Sequence, residues 1–63
     1  MTVQLYIELD NAAFQDGNRS IELARILKHL GDSIEYGRLK SQAIKDINGN
    51  TVGQMIFERR END

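Results

Sequence analysis

The 63-residue chain contains no cysteine, no proline and no tryptophan, and its aromatic residues are limited to two tyrosines and two phenylalanines. Without cysteine there is no disulfide, no thiolate zinc site and no iron–sulfur cluster. An excess of basic charge is also lacking. The net charge is −2 and the pI about 5.2, whereas nucleic-acid binders usually present a clustered basic face and a pI above about 9. No stretch approaches the roughly 20 apolar residues that span a bilayer, and no basic segment followed by an apolar run opens the chain. A soluble, cytoplasmic protein without membrane contact is expected. What is present is a hydrophobic content of 40%, enough for one small folded domain. Domains of this size that lack disulfides and metals commonly complete their cores by self-association, so a homodimer is expected.

From Met1 to Leu9 the pattern alternates. Val3, Leu5, Ile7 and Leu9 point one way and Thr2, Gln4, Tyr6 and Glu8 the other, which predicts a strand with one buried face. Asp10-Asn11 and Asp16-Gly17-Asn18 bracket Ala12-Ala13-Phe14. This is a loop of turn formers in which Phe14 plugs the edge of the core. From about Arg19 to Tyr36 the period changes to 3.6, and Leu23, Ile26, Leu27, Leu30 and Ile34 share an arc of about 100°, the stripe of an amphipathic helix. Asp16, Asn18 and Ser20 are candidate N-caps and Gly37 a natural terminator. Ile34 stays in phase beyond Gly31, which predicts a continuous helix whose flank at Ser20, Ala24 and Gly31 is small. Arg25, Lys28, Asp32 and Glu35 lie opposite the stripe, with Lys28 and Asp32 one helical turn apart.

The last third holds two β-prone runs around Asp46-Ile47-Asn48-Gly49-Asn50, which suits a type I turn closed by a glycine bulge. That turn predicts Ile44 opposite Val52 and Leu39 opposite Phe57, with Ile56 on the Val52 face and Met55 on the Phe57 face. Both hairpin faces are then apolar. One helix covers only one of them, leaving a patch of the kind that marks an interface.

Candidate chemistry is sparse. His29, the only histidine, sits near the solvent boundary of the helix with Asp32 as its one nearby carboxylate. The serines at 20, 33 and 41 occupy no nucleophile elbow, and the glycines make no phosphate cradle. No enzyme, cofactor or metal site is expected. Asp46-x-Asn48-x-Asn50 mimics the start of a calcium loop, but Thr51 stands where glycine is required and Phe57 where a bidentate glutamate is required. Turn chemistry explains the same residues. Residues 1–37 carry six acids and three bases and residues 38–63 four acids and five bases. Arg38, Lys40, Lys45, Arg59 and Arg60 thus form a modest basic hairpin edge, a common guard against edge-to-edge aggregation.

Three stretches, Leu9-Asp10-Asn11-Ala12-Ala13-Phe14, Glu22-Leu23-Ala24-Arg25-Ile26-Leu27 and Asp46-Ile47-Asn48-Gly49-Asn50-Thr51-Val52-Gly53, together resemble a family of small accessory proteins of unassigned function encoded by bacteriophages, prophages and plasmids of proteobacteria. The resemblance runs from Leu5 to Phe57. Its motifs are caps, core positions and turns, and it transfers no catalytic residue. What it implies is context, since small acidic proteins of mobile elements often act stoichiometrically on host systems, restriction and CRISPR machinery among them.

The expectation is therefore a single α+β domain, β-α-β-β, over residues 1–58, with one helix on a three-stranded sheet and a charged tail at 59–63. Functionally it is expected to be a non-catalytic interaction module, anti-CRISPR-like, that binds a host protein or ribonucleoprotein complex. The alternative is a small nucleic-acid-binding accessory or regulatory protein that uses the basic hairpin edge. Interface candidates are Ile44, Val52, Met55, Ile56 and Phe57, with Asp10, Asp16 and Glu35 as acids at the rim.

Overall fold

The computed structural model describes residues 1–59; the end of the expected tail, residues 60–63, lies outside them. The architecture is α+β. Strand β1 (Thr2–Ile7) is followed by a single 3-10 turn at Ala12–Phe14, helix α1 (Arg19–Glu35), and the strands β2 (Gln42–Lys45) and β3 (Thr51–Glu58). The sheet order is β1-β3-β2, and both outer strands run antiparallel to β3. β1 and β2 are thus parallel to each other with β3 between them.

Helix α1 runs through Gly31, as the unbroken stripe requires. It stops where a glycine permits a left-handed residue: Gly37 has φ 98°, its N–H donates to the Ile34 carbonyl at 2.9 Å, and the Arg38 N–H donates to the Ser33 carbonyl at 3.1 Å. This paired closure satisfies carbonyls that the helix end would otherwise orphan. A Cβ at Gly31 meets nothing within 4 Å. Gly31→Ala is therefore expected to raise stability by up to about 1 kcal/mol, read as a higher thermal midpoint. A lower midpoint would show that another backbone packs on that flank.

The hairpin turn forms as its residues dictate, with the Gly49 N–H donating to the Asp46 carbonyl at 3.0 Å and the Asp46 N–H to the Asn50 carbonyl at 2.9 Å. The register differs from expectation. Ile44 faces Gly53 rather than Val52, Gln42 faces Met55, and the pairing then jumps to Lys45 opposite Thr51. Val52 is the extra residue of a bulge, which lets its side chain join the Met55 face instead of opposing it. Ile44, Val52 and Met55 are consequently all buried, in one core with Phe14, Ile26 and Leu30. Leu39 lies before β2 and is exposed, and Phe57 pairs with Val3 of β1. The choice between two hairpin faces does not arise, because the bulge gathers the largest side chains onto one.

β1 departs from expectation in the opposite sense. Its alternation is real, since Val3, Leu5 and Ile7 face Phe57, Met55 and Gly53 and so point to the helix side of the sheet. Yet Val3 is 55% and Leu5 48% exposed. α1 covers the sheet near Ile7 and leaves the rest of the β1 inner face open.

Candidate interaction surface

Two features stand out on this frame: a polar cluster that ties the hairpin to the helix, and an apolar side left uncovered. The cluster is built on two buried carboxylates, Glu22 and Asp46. Glu22 lies one turn before Ile26 on the inward face of α1. Its carboxylate accepts from Arg25 Nε at 2.6 Å and Nη2 at 3.1 Å, and from the Ile47 backbone N–H at 2.8 Å. Asp46 accepts the backbone N–H groups of Asn48 at 2.9 Å and Asn50 at 2.8 Å on Oδ1, and the side-chain amide of Asn11 at 3.1 Å on Oδ2. The two backbone donors are the turn's own, and Asn11 reaches in from the first loop. The residues that imitate a calcium loop are turned inward and spent on hairpin geometry, and among the described residues no group of three or more histidine, aspartate or glutamate side chains gathers at a point.

The hydrogen bond from Arg25 lowers the Glu22 pKa against the opposing effect of burial, with the Ile47 N–H adding to it. Burial pushes Asp46 up, but the Asn50 N–H, the Asn11 amide and the Asn48 N–H outweigh it and hold that carboxyl below its usual range. Arg25 is raised in turn by its hydrogen bond to Glu22. The cluster is a structural strut joining the first loop, the helix and the hairpin. Sequence reasoning placed Arg25 on the wet face and overlooked Glu22, although Glu22 lies only about 40° from Ile26 on the helical wheel.

The open side follows from which flank of the helix is used. A groove of about 320 Å³ between α1 and β2 is lined by Arg25, His29 and Leu30 on the helix and Ile44 and Lys45 on the strand. The His29 flank therefore looks toward β2. Leu27 and Ile34 sit on the opposite flank, about 80–100° around from Ile26, toward β1. They are 43% and 38% exposed. Beneath them the inner face of β1 offers Val3 and Leu5. Val3 and Leu5 on the inner face of β1 and Leu27 and Ile34 on this helix flank are thus left largely uncovered, with half-buried Phe57 paired to Val3.

Of the expected interface residues, Ile44, Val52 and Met55 belong to the core and are not available for contact. Phe57 borders the open side. Ile56 is half-buried on the outer face of the sheet, near Tyr6, whose hydroxyl donates to Glu8 at 2.7 Å and is raised in pKa by that bond and by the carboxylate's charge. Asp10 and Asp16 are exposed in the loop before α1, while Glu35 is exposed at its far end. A 17-residue helix holds Asp16 and Glu35 about 25 Å apart, so the acids do not form one rim. Arg38, Lys40 and Gln42 line a shallow groove beside β2.

Family models, curated proteins and solved structures yield no match to this chain. No helix among the described residues is long and apolar enough to cross a membrane.

Proposed function

We propose that this chain is a non-catalytic protein-interaction module and, in the mobile-element setting its sequence resembles, a stoichiometric inhibitor of a host defence complex of protein or ribonucleoprotein. The observation that carries the interaction role is the open β1 side. Among the described residues the buried apolar core is six side chains, and Val3 and Leu5 of the β1 inner face and Leu27 and Ile34 of α1 remain substantially in solvent. Contiguous exposed apolar surface on a small domain marks a contact site. The buried carboxylates serve structure: the hydrogen bonds of Glu22 and Asp46 hold the hairpin to the helix and the first loop.

A second reading is favoured by one feature: Arg38 and Lys40 precede β2 and Lys45 ends it, giving one edge a run of positive charge. That edge suits a phosphate backbone. The test is phage survival on hosts carrying CRISPR or restriction systems, with and without the gene, alongside a DNA mobility shift at graded salt. Protection that needs the gene supports the inhibitor. No protection on any host, together with a DNA shift that weakens steeply with salt, would replace it with the nucleic-acid reading.

A further inference from the structure

We infer that the open β1 side is occupied by a second copy of this chain, with the two β1 strands paired antiparallel about a two-fold axis through Leu5. The inference rests on reading that side as a protein contact, and it specifies the partner and the register.

The two outer strands of the sheet are guarded unequally. β2 has four residues, ends on Lys45 and carries the irregularity opposite Val52, devices that discourage pairing with another chain. β1 has six residues, Thr-Val-Gln-Leu-Tyr-Ile, with no charge and no register break against β3. It is an unprotected edge in a chain that protects its other one.

The register follows from the backbone. The Glu8 N–H donates to the Val52 carbonyl at 2.8 Å, so in the alternation of an antiparallel ladder the even-numbered residues of β1 turn their N–H and C=O groups toward β3. Those of Val3, Leu5 and Ile7 face the free edge. A symmetric partner can use them only by pairing odd residues with odd residues. Two such alignments are centred on the strand, about Gln4 and about Leu5; the one about Leu5 keeps Val3, Leu5 and Ile7 all paired within β1, setting Leu5 opposite Leu5 of the second copy and Val3 opposite its Ile7. That pairing makes six backbone hydrogen bonds and brings no like charges together; Glu8 falls opposite Thr2.

Side chains agree with the backbone. Pairing at the usual spacing of about 4.8 Å joins the inner faces of the two β1 strands into one apolar strip, which Leu27 and Ile34 of both helices can cover. A foreign peptide strand would satisfy the edge but bring no second helix to that strip. With Val3, Leu5, Leu27 and Ile34 exposed by 38–55%, the inner-face surface on offer is on the order of 350 Å² per copy, to which the paired backbone and the outer-face Tyr6 add, so the whole approaches the roughly 1,000 Å² of a small specific interface.

The absence of cysteine permits a direct test on the full chain. Light scattering at micromolar concentration and above is expected to give twice 7.2 kDa. Leu5→Lys, at a half-exposed position, is expected to give a monomer with unchanged circular dichroism, because it sets two ammonium groups against each other on the axis. In an otherwise unchanged chain, Leu5→Cys is expected to cross-link between copies under mild oxidation or with a short bis-maleimide, while Lys45→Cys on the other edge does not. A chain that stays at 7.2 kDa throughout, or a dimer that survives Leu5→Lys and cross-links through Lys45→Cys, overturns the inference. A monomer that captures a host protein through β1 also overturns it and assigns the edge to a foreign strand. Phage protection by a strict monomer would leave the inhibitor reading standing without this pairing, and a dimer without protection would do the reverse.

Discussion

Gly53→Ala is expected to abolish cooperative folding. Gly53 is buried in the central strand, opposite Ile7 on one side and Ile44 on the other. A Cβ there would overlap the Tyr6 carbonyl oxygen, and it would stand 2.8 Å from the Tyr6 carbonyl carbon and 2.9 Å from the Ile7 Cα. All three are backbone atoms of β1, so no rotamer change relieves the clash and the β1–β3 ladder must part. Overpacking a core costs about 1–3 kcal/mol even where side chains can yield. A domain of this size is held by only about 3–5 kcal/mol. Urea denaturation followed by circular dichroism is expected to show no native baseline, or a loss above about 3 kcal/mol. A variant within about 1 kcal/mol of the parent would mean that β1 does not approach β3 as described.

Asp46→Ala is the second large effect, because one carboxylate serves the backbone of Asn48 and Asn50 and the side chain of Asn11. Removing it strips the partners from donors in a part-buried site, and an unmade hydrogen bond there costs more than a made one contributes. Asp46→Asn is expected to fall between parent and alanine: its oxygen still accepts from the turn, but its NH2 meets the NH2 of Asn11, donor against donor. The same site predicts acid lability. Asp46 and Glu22 are both lowered in the folded state, so the stability they contribute is present above the unfolded carboxylate values of about 4 and is lost as pH falls through the lower folded values. Denaturation midpoints from pH 7 down to pH 2 are expected to drop below about pH 4, and the combined Glu22→Gln and Asp46→Asn variant to flatten that drop. An equal drop in the variant would place the acid sensitivity elsewhere in the chain.

These two positions show where reading the chain succeeds and where it stops. The residues 46–50 are legible as a turn, and Asp46 at its head is the residue such a turn demands. That the same carboxylate also ties down Asn11, 35 positions earlier, has no local signature. Gly53 in a strand pattern hints at a bulge or a close approach, but only the β1 partner shows which atoms come close.

Local chemistry by itself determined the helix from Arg19 to Glu35, its stop at Gly37, the inward Phe14, the alternation of β1 and the Asp46–Asn50 turn, because periodicity and turn geometry involve neighbours within a few residues. Tertiary structure alone decided the rest: that β3 lies between β1 and β2, that a one-residue bulge moves Val52 onto the Met55 face, and that α1 leans toward β2 and leaves Val3, Leu5, Leu27 and Ile34 uncovered. Each depends on pairing or packing between segments, from Lys45 against Thr51 in the hairpin to Thr2 against Glu58 across most of the chain. A slip of one residue there reverses which side chains are buried without disturbing any local preference.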